Sequence, residues 1–432
     1  MKTTSKKRNA VAIAIMMFLF AMIAFVTNLA APVGVIWKNT FANGDNANAI
    51  GMLGNAMTFL AYLFMGIPAG RMLNKYGYKQ TAMAGIATGI IGLALQLASG
   101  ILPIGAAGFA VYLLGAFVCG LAVCMLNTVV NPMTNLLGGG GNRGNQLNLI
   151  GGTLNSLAGT LTPMLVGQMI GTVTKATKIA DVNSVIYVAM AVFAVAFCVL
   201  HFMKIENPES QGAETEELVH SPWDFSHFKL GAIAIFLYVG IEVGIPGTLF
   251  FYISDTTANG GGTGLAKAAA VAGFVSATYW FLMLVGRFAA GIIADKVSSK
   301  AMLTATSLIA ILLMAGGIAL GKSCSISMPV FTGTTIAFYQ LPIAALMLML
   351  CGLCTSVMWS CIFNLSVEGL GKYTALGSGI FMMMVAGGGI MPLLQNTIAD
   401  HCSYMASYAI PLLSMAYILF YAIKGSKINT GE

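Results

Sequence analysis

Residues 126–156 read LNTVVNPMTNLLGGGGNRGNQLNLIGGTLNS: two apolar segments meet across a glycine-rich connector, and both carry asparagines at helical spacing. With 3.6 residues per turn, Asn127 and Asn131 share one face of the first segment, and Asn148 and Asn155 share a face of the second. An amide buried without a partner costs roughly 2–7 kcal/mol, whereas a polar pair between membrane helices returns only about 0.6 kcal/mol on average. Four such groups are a poor way to hold helices together, so these faces are expected to line a solute pathway.

The remainder of the chain sets those segments in a membrane. Of its 432 residues 58% are hydrophobic and 8% charged, and the mean hydropathy is +0.85. A soluble chain of this size could not hide so much apolar surface. A helix needs about 20 apolar residues to cross the hydrocarbon. Twelve such runs occur, at 10–36, 48–70, 80–101, 106–136, 144–171, 183–203, 228–254, 268–293, 301–320, 336–366, 373–398 and 405–424. The expected fold class is all-α and integral to the membrane. MKTTSKKRNA opens like a signal peptide, but the run behind it outlasts a cleavage window and reads as a retained first helix.

Orientation follows from Lys and Arg. With both termini in the cytoplasm, all but Lys38, Lys175, Lys178, Lys267 and Lys322 of the 21 basic residues lie on the cytoplasmic side or at helix ends there. The net charge of +7 thus reports orientation in a bacterial-type inner membrane, and no nucleic-acid partner is implied. Residues 204–227, with six acidic residues and two prolines, read as a cytoplasmic linker between six helices in 1–203 and six in 228–432. Gly70 to Lys79 (GRMLNKYGYK) and Gly291 to Lys300 (GIIADKVSSK) match in Gly, Asn or Asp, and Lys at equivalent positions, so the halves read as pseudo-symmetric copies.

Other constellations add little chemistry. GGGGNRG at 138–144 lacks the Lys-Ser/Thr ending of a phosphate loop, and no hydrolase motif occurs, so neither an enzyme nor a metal or cofactor is expected. Of eight cysteines, Cys119, Cys124, Cys198, Cys351, Cys354 and Cys361 sit in apolar runs as packing residues. Cys324 and Cys402 both fall in predicted outer loops, which leaves a disulfide open.

Glu242 is the acidic residue deepest in an apolar run, one turn from Tyr238 and followed by Pro246. A charge at the bilayer centre costs at least about 2.5–3.5 kcal/mol, so it must face water, find a partner or stay protonated. Glu242 is therefore the leading candidate for ion coupling. Tyr279, Trp280 and Trp359 offer stacking faces for a pyranose, with anchoring at the interface as the alternative. Asn364 and Gln395 complete the candidate solute contacts.

These features resemble the major facilitator superfamily, whose loop after helix 2 carries a Gly-x-x-x-Asp-Arg-x-Gly-Arg-Lys pattern. Here Asn74, Lys75 and Tyr78 replace its Asp, first Arg and second Arg, and the second copy keeps Asp295. The resemblance implies gating roles for Arg71 and Lys75, and for an ion pair between Arg287 and Asp295. LNTVVNP, QLNLIGGTLNS, AIFLYVGIEVGIP (234–246), VGRF (285–288), FNLSVEGLG (363–371) and a run ending IMPLLQNTIAD at 400 are similar to the fucose/galactose/glucose proton symporter family. That similarity implies two six-helix bundles and alternating-access transport of a hexose, deoxyhexose or amino sugar. It further implies a monomer coupled to protons, with sodium as the alternative ion. Ala31 and Asn127 stand where that family has proton-linked carboxylates, and Gly152 where it has a solute-contacting Gln, whereas Asn155 matches. Uniport, transport of a nucleoside, peptide or drug, and a non-transporting sensor remain the alternatives.

Overall fold

Lipid offers backbone amides no partners, so segments crossing it close their hydrogen bonds internally as helices. The computed structural model describes residues 2–41, 45–103, 105–137, 141–171, 177–202, 221–293, 297–333, 335–370 and 373–428. Most of the acidic segment, Asp295 and the side chain of Asn148 lie outside the described residues.

Twelve long helical segments follow one another: α1 Lys2–Thr40, α2 Ala47–Leu73 and α3 Lys75–Ile101, α4 Ala106–Leu137, α5 Gly141–Ile170 and α6 Asn183–Phe202. The second six are α7 Ser226–Ser254, α8 Ala268–Ile293, α9 Ser299–Leu320, then α10 Ile343–Val367, α11 Gly377–His401 and α12 Tyr404–Gly425. The chain kinks at Gly77, just inside the start of α3, where a φ of 82° is open to a residue without Cβ at no steric cost. Eleven helices are long and apolar enough to cross a membrane among the described residues. The twelfth is α5, whose 30 residues reach about 45 Å but whose Asn, Gln and Gly dilute its hydropathy.

The sequence reading needs one amendment. Residues 336–342, expected to begin helix 10, form a strand. β1 Ser325–Phe331 and β2 Ile336–Pro342 pair antiparallel, Ser325 opposite Pro342 and Phe331 opposite Ile336. Alternating burial along both strands is the period-2 signature of a hairpin with one covered face. Helix α10 starts only at Ile343.

The first six helices meet the last six along two long seams, α5 against α8 and α2 against α11. The seams are tight because small residues let backbones touch. A Cβ on Gly167 would lie 2.5 Å from Ala269 O, and one on Gly273 would lie 2.5 Å from Pro163 O. These contacts sit toward the end of the bundle that carries neither terminus, called the far end below. Near the same end the tip of the Phe251 ring on α7 sits against Gly34 of α1 and Gly51 of α2.

Candidate functional site

Tyr238 and Glu242 project from one face of α7 because they are four residues apart. Tyr238 Oη lies 2.9 Å from Glu242 Oε1 and 3.2 Å from Thr355 O. On α8, Arg287 Nη2 donates to Glu242 Oε1 at 3.2 Å, while Nη1 donates to Gly152 O at 3.1 Å and Ser156 Oγ at 2.8 Å. One guanidinium therefore ties α7 and α8 of the second six helices to α5 of the first. The pair is not sealed: Arg287 and Glu242 keep 18% and 15% of their side-chain surface. Arg287 is thus engaged by Glu242 and α5, and its expected partner Asp295 falls outside the described residues.

Aromatic residues surround this centre. Trp359 packs edge-on to Tyr238 with centroids 6.3 Å apart, and Tyr279 Oη lies 2.9 Å from Thr355 Oγ1. The Trp280 ring stands against Gly159 of α5, where any Cβ would come within 3.2 Å. Tyr279 is fully buried and Trp280 nearly so, while Trp359 keeps partial exposure.

The asparagines of the opening stretch divide. Asn127 donates to Tyr62 Oη at 2.7 Å, joining α4 to α2, and Asn155 donates to Phe20 O at 3.1 Å, joining α5 to α1. Both are half-buried. Asn131 turns back on its own helix, donating to Asn127 O at 3.1 Å. Asn364 is exposed and lines a cleft of about 560 Å³ near the end carrying the termini, with Ser299, Lys300, Glu368 and Lys427, away from Glu242. Arg71 near the end of α2 and Lys75 at the start of α3 are exposed, the latter 5.2 Å from the ring of Tyr76.

Gln395 is buried on α11, and beside it Asn396 donates to Thr248 Oγ1 at 2.9 Å; among the described residues neither Gln395 Nε2 nor Asn396 Oδ1 has a partner. Two unsatisfied amide atoms in a buried seam are costly unless something uses them. Sequence reasoning found Gln395 but passed over Asn396, whose only signal was its place in the same PLLQNT run.

A second polar cluster, which sequence reasoning missed altogether, closes the far end. Lys38 of α1 donates to Tyr404 Oη of α12, and its ammonium stands 3.7 Å from Asp255 Oδ2 just past α7. Tyr404 Oη also lies 2.9 Å from Asn48 Oδ1 and 3.0 Å from Asp255 Oδ2. Asp400, near the end of α11, accepts from Asn48 N, Asn48 Nδ2 and Ala49 N, each at 2.8 Å. It thereby caps the N-terminus of α2 from the opposite half, where a carboxylate meets both free amides and the positive end of the helix dipole. Hydrogen bonds to a charged group contribute about 1.5–3 kcal/mol each. Burial alone would raise the Asp255 carboxyl, but the Lys38 ammonium and donors from Thr257 and Tyr404 outweigh it and hold the group below its ordinary value. Cys324 and Cys402 are free thiols, so the disulfide left open by the sequence is not made.

Residues 13–421 match the sequence pattern of the Major Facilitator Superfamily. The chain belongs to that family. It is 29% identical over 433 residues to a glucose/galactose transporter of Brucella abortus biovar 1 (strain 9-941), covering 99% of this chain and 97% of that protein. It is 26% identical over 399 residues to the L-fucose-proton symporter of Escherichia coli (strain K12), covering 86% and 84%. The crystal structure of a D-xylose-proton symporter superposes with a TM-score of 0.69 over 98% of this chain and 99% of that one, at 14% identity, a likeness of fold. As a family member with this helix inventory, the chain is a multi-pass membrane protein.

Proposed function

We propose that the protein is a sugar transporter of the inner membrane, moving a hexose, deoxyhexose or amino sugar by alternating access and proton symport. Residues 1–203 and 228–432 act as the two rocking bundles, with 204–227 as the cytoplasmic linker, both termini inside and the far end facing outward. The observation that carries the reading is the centre at Glu242. A membrane-embedded carboxylate shares one guanidinium with a backbone carbonyl and a hydroxyl of the opposite half, amid Tyr238, Trp280 and Trp359. Relatives named for glucose, galactose and L-fucose support the solute class, and the L-fucose relative supports the proton.

Glu242 fits a proton carrier by its chemistry. Neutralising it releases Arg287 from its charge partner, so protonation and the hold of α8 on α5 are linked through one side chain. A proton entering across 100 mV is worth about 2.3 kcal/mol, enough for roughly 50-fold accumulation of a neutral solute. Asn127 and Asn155 supply amide groups from the first bundle, and Gln395 and Asn396 from the second, as solute contacts.

The test is uptake of labelled glucose, galactose and L-fucose into proteoliposomes under a proton or a sodium gradient. Wild type accumulates one of them with the proton gradient. Glu242→Gln exchanges that sugar across the membrane but no longer concentrates it. Accumulation that survives in Glu242→Gln removes this residue as the carrier, and a wild type that only equilibrates sugar is a uniporter.

A further inference from the structure

Five residues at the far end come from five helices or their immediate ends, and they link the two bundles at a place no solute contact explains. Lys38 and Asn48 belong to the first bundle; Asp255, Asp400 and Tyr404 belong to the second. Lys38 and Asp255 retain only 15% and 14% of their side-chain surface. Directly beneath, Met52 is fully buried and its terminal methyl lies against Gly247 of α7. Met52 is thus hidden beneath the joined cluster.

We propose that Lys38, Asn48, Asp255, Asp400 and Tyr404 form the external gate of this transporter, a latch that external protons loosen by neutralising Asp255. The inference rests on the alternating-access reading above and adds a second proton-responsive site, remote from Glu242. Its chemistry is asymmetric. Among the described residues Lys38 is the one cation placed between the two carboxylates, with its ammonium also 5.5 Å from the Phe251 ring. Asp400 holds three donors of one helix start, and two of them are backbone amides that can only be satisfied from the other bundle or by water. Opening the far end therefore exchanges these carboxylate bonds for water.

The titratable groups facing the cluster are few. From α7 comes Tyr252, whose ring lies 5.3 Å from that of Tyr404. The chain neighbours Asp45 and His401 are exposed, and Lys322 is committed to Ala258 O. The sign of the pH effect follows from the Lys38 pairing. A carboxyl whose value is lower in the joined state stabilises that state above its unpaired value, and loses this as pH falls through the lowered one. Acid outside therefore favours the open latch.

The experiment reads accessibility without any solute, so its outcome is separable from that of the uptake assay. Met52→Cys is introduced with the exposed Cys198, Cys324 and Cys402 changed to serine, and the same chain without Met52→Cys serves as the blank. Right-side-out vesicles are treated with a membrane-impermeant maleimide. With the latch intact, labelling is slow at neutral pH and faster as external pH is lowered through the carboxylate range. Lys38→Met and Asp400→Asn each accelerate it about tenfold, the shift that 1.4 kcal/mol produces, and Asp255→Asn flattens the pH response. The exchange Lys38→Asp with Asp255→Lys slows labelling again relative to Lys38→Asp alone, which a folding defect would not do. Unchanged labelling in both Lys38→Met and Asp400→Asn overturns the gate. Equal acceleration by Lys322→Met, an outer lysine bonded within its own bundle, overturns it as well. A wild type indifferent to pH overturns the proton dependence.

Discussion

The centre at Glu242 and the cluster at the far end are both polar bridges between the same two bundles, yet they are built on opposite principles. At the centre one residue makes the crossing: Arg287 reaches Gly152 O and Ser156 Oγ, and everything else is arranged around its charge partner. At the far end the crossing is distributed over two carboxylates, one ammonium, a phenol and an amide, with Asp400 alone accepting three bonds. A bridge hung on one residue responds to a single protonation. A bridge shared among five is loosened by each single loss and undone by none alone.

That contrast can be broken by experiment, most forcefully at the centre. Glu242→Ala leaves Arg287 charged and without its carboxylate in the membrane, and the expected cost is about 3–5 kcal/mol in thermal or denaturant unfolding. Adding Arg287→Met removes the stranded charge and returns much of that loss; a double-mutant cycle showing simple additivity would mean the two do not act as a pair. At the far end no single neutral substitution reaches that size. Lys38→Met lowers stability by about 1.5–3 kcal/mol, the worth of one hydrogen bond to a charged group, and stability of the wild type falls as pH drops below the ordinary carboxylate range while that of Asp255→Asn falls less.

Smaller effects test whether the asparagines recognise solute or fasten helices. Tyr62→Phe removes the partner of Asn127 and should cost about 0.6 kcal/mol of stability, at most about 1.7. If Asn127 is freed for solute, sugar affinity rises or holds while stability falls; parallel loss of both assigns the amide to fastening alone. Smallest of all, Cys324→Ser with Cys402→Ser stays within about 0.5 kcal/mol of wild type, and reductant leaves the melting temperature unchanged.

The two bridges also differ in how far sequence revealed them. Tyr238 and Glu242 announce themselves, because four-residue spacing puts both on one helical face and a carboxylate in an apolar run demands an explanation. The partner of Glu242 was harder: Arg287 sits near a cytoplasmic motif in sequence, and only the packing of α8 on α5 turns it inward. The far-end cluster was illegible. Asn48 and Asp400 are 352 residues apart, each at a helix end where a polar residue is unremarkable. The hairpin was missed for a different reason. A short apolar stretch leading into a helix is not told apart from that helix by sequence period, and the run at 336–342 continues straight into α10. Conversely α5, whose mean hydropathy Asn, Gln and Gly dilute, was still legible as the run at 144–171 in the count of membrane-length segments.

One feature of the seams has a practical use. Where α5 and α8 meet, Gly167 and Gly273 leave the opposing carbonyls of Ala269 and Pro163 no room for even a methyl group. Alanine at either position is a wedge: it adds no charge, touches no member of either polar bridge, and makes the closed far end the more crowded of the two arrangements. Gly167→Ala thus offers a way to trap the opposite state for crystallography or cryo-microscopy, and to obtain a binder that recognises it.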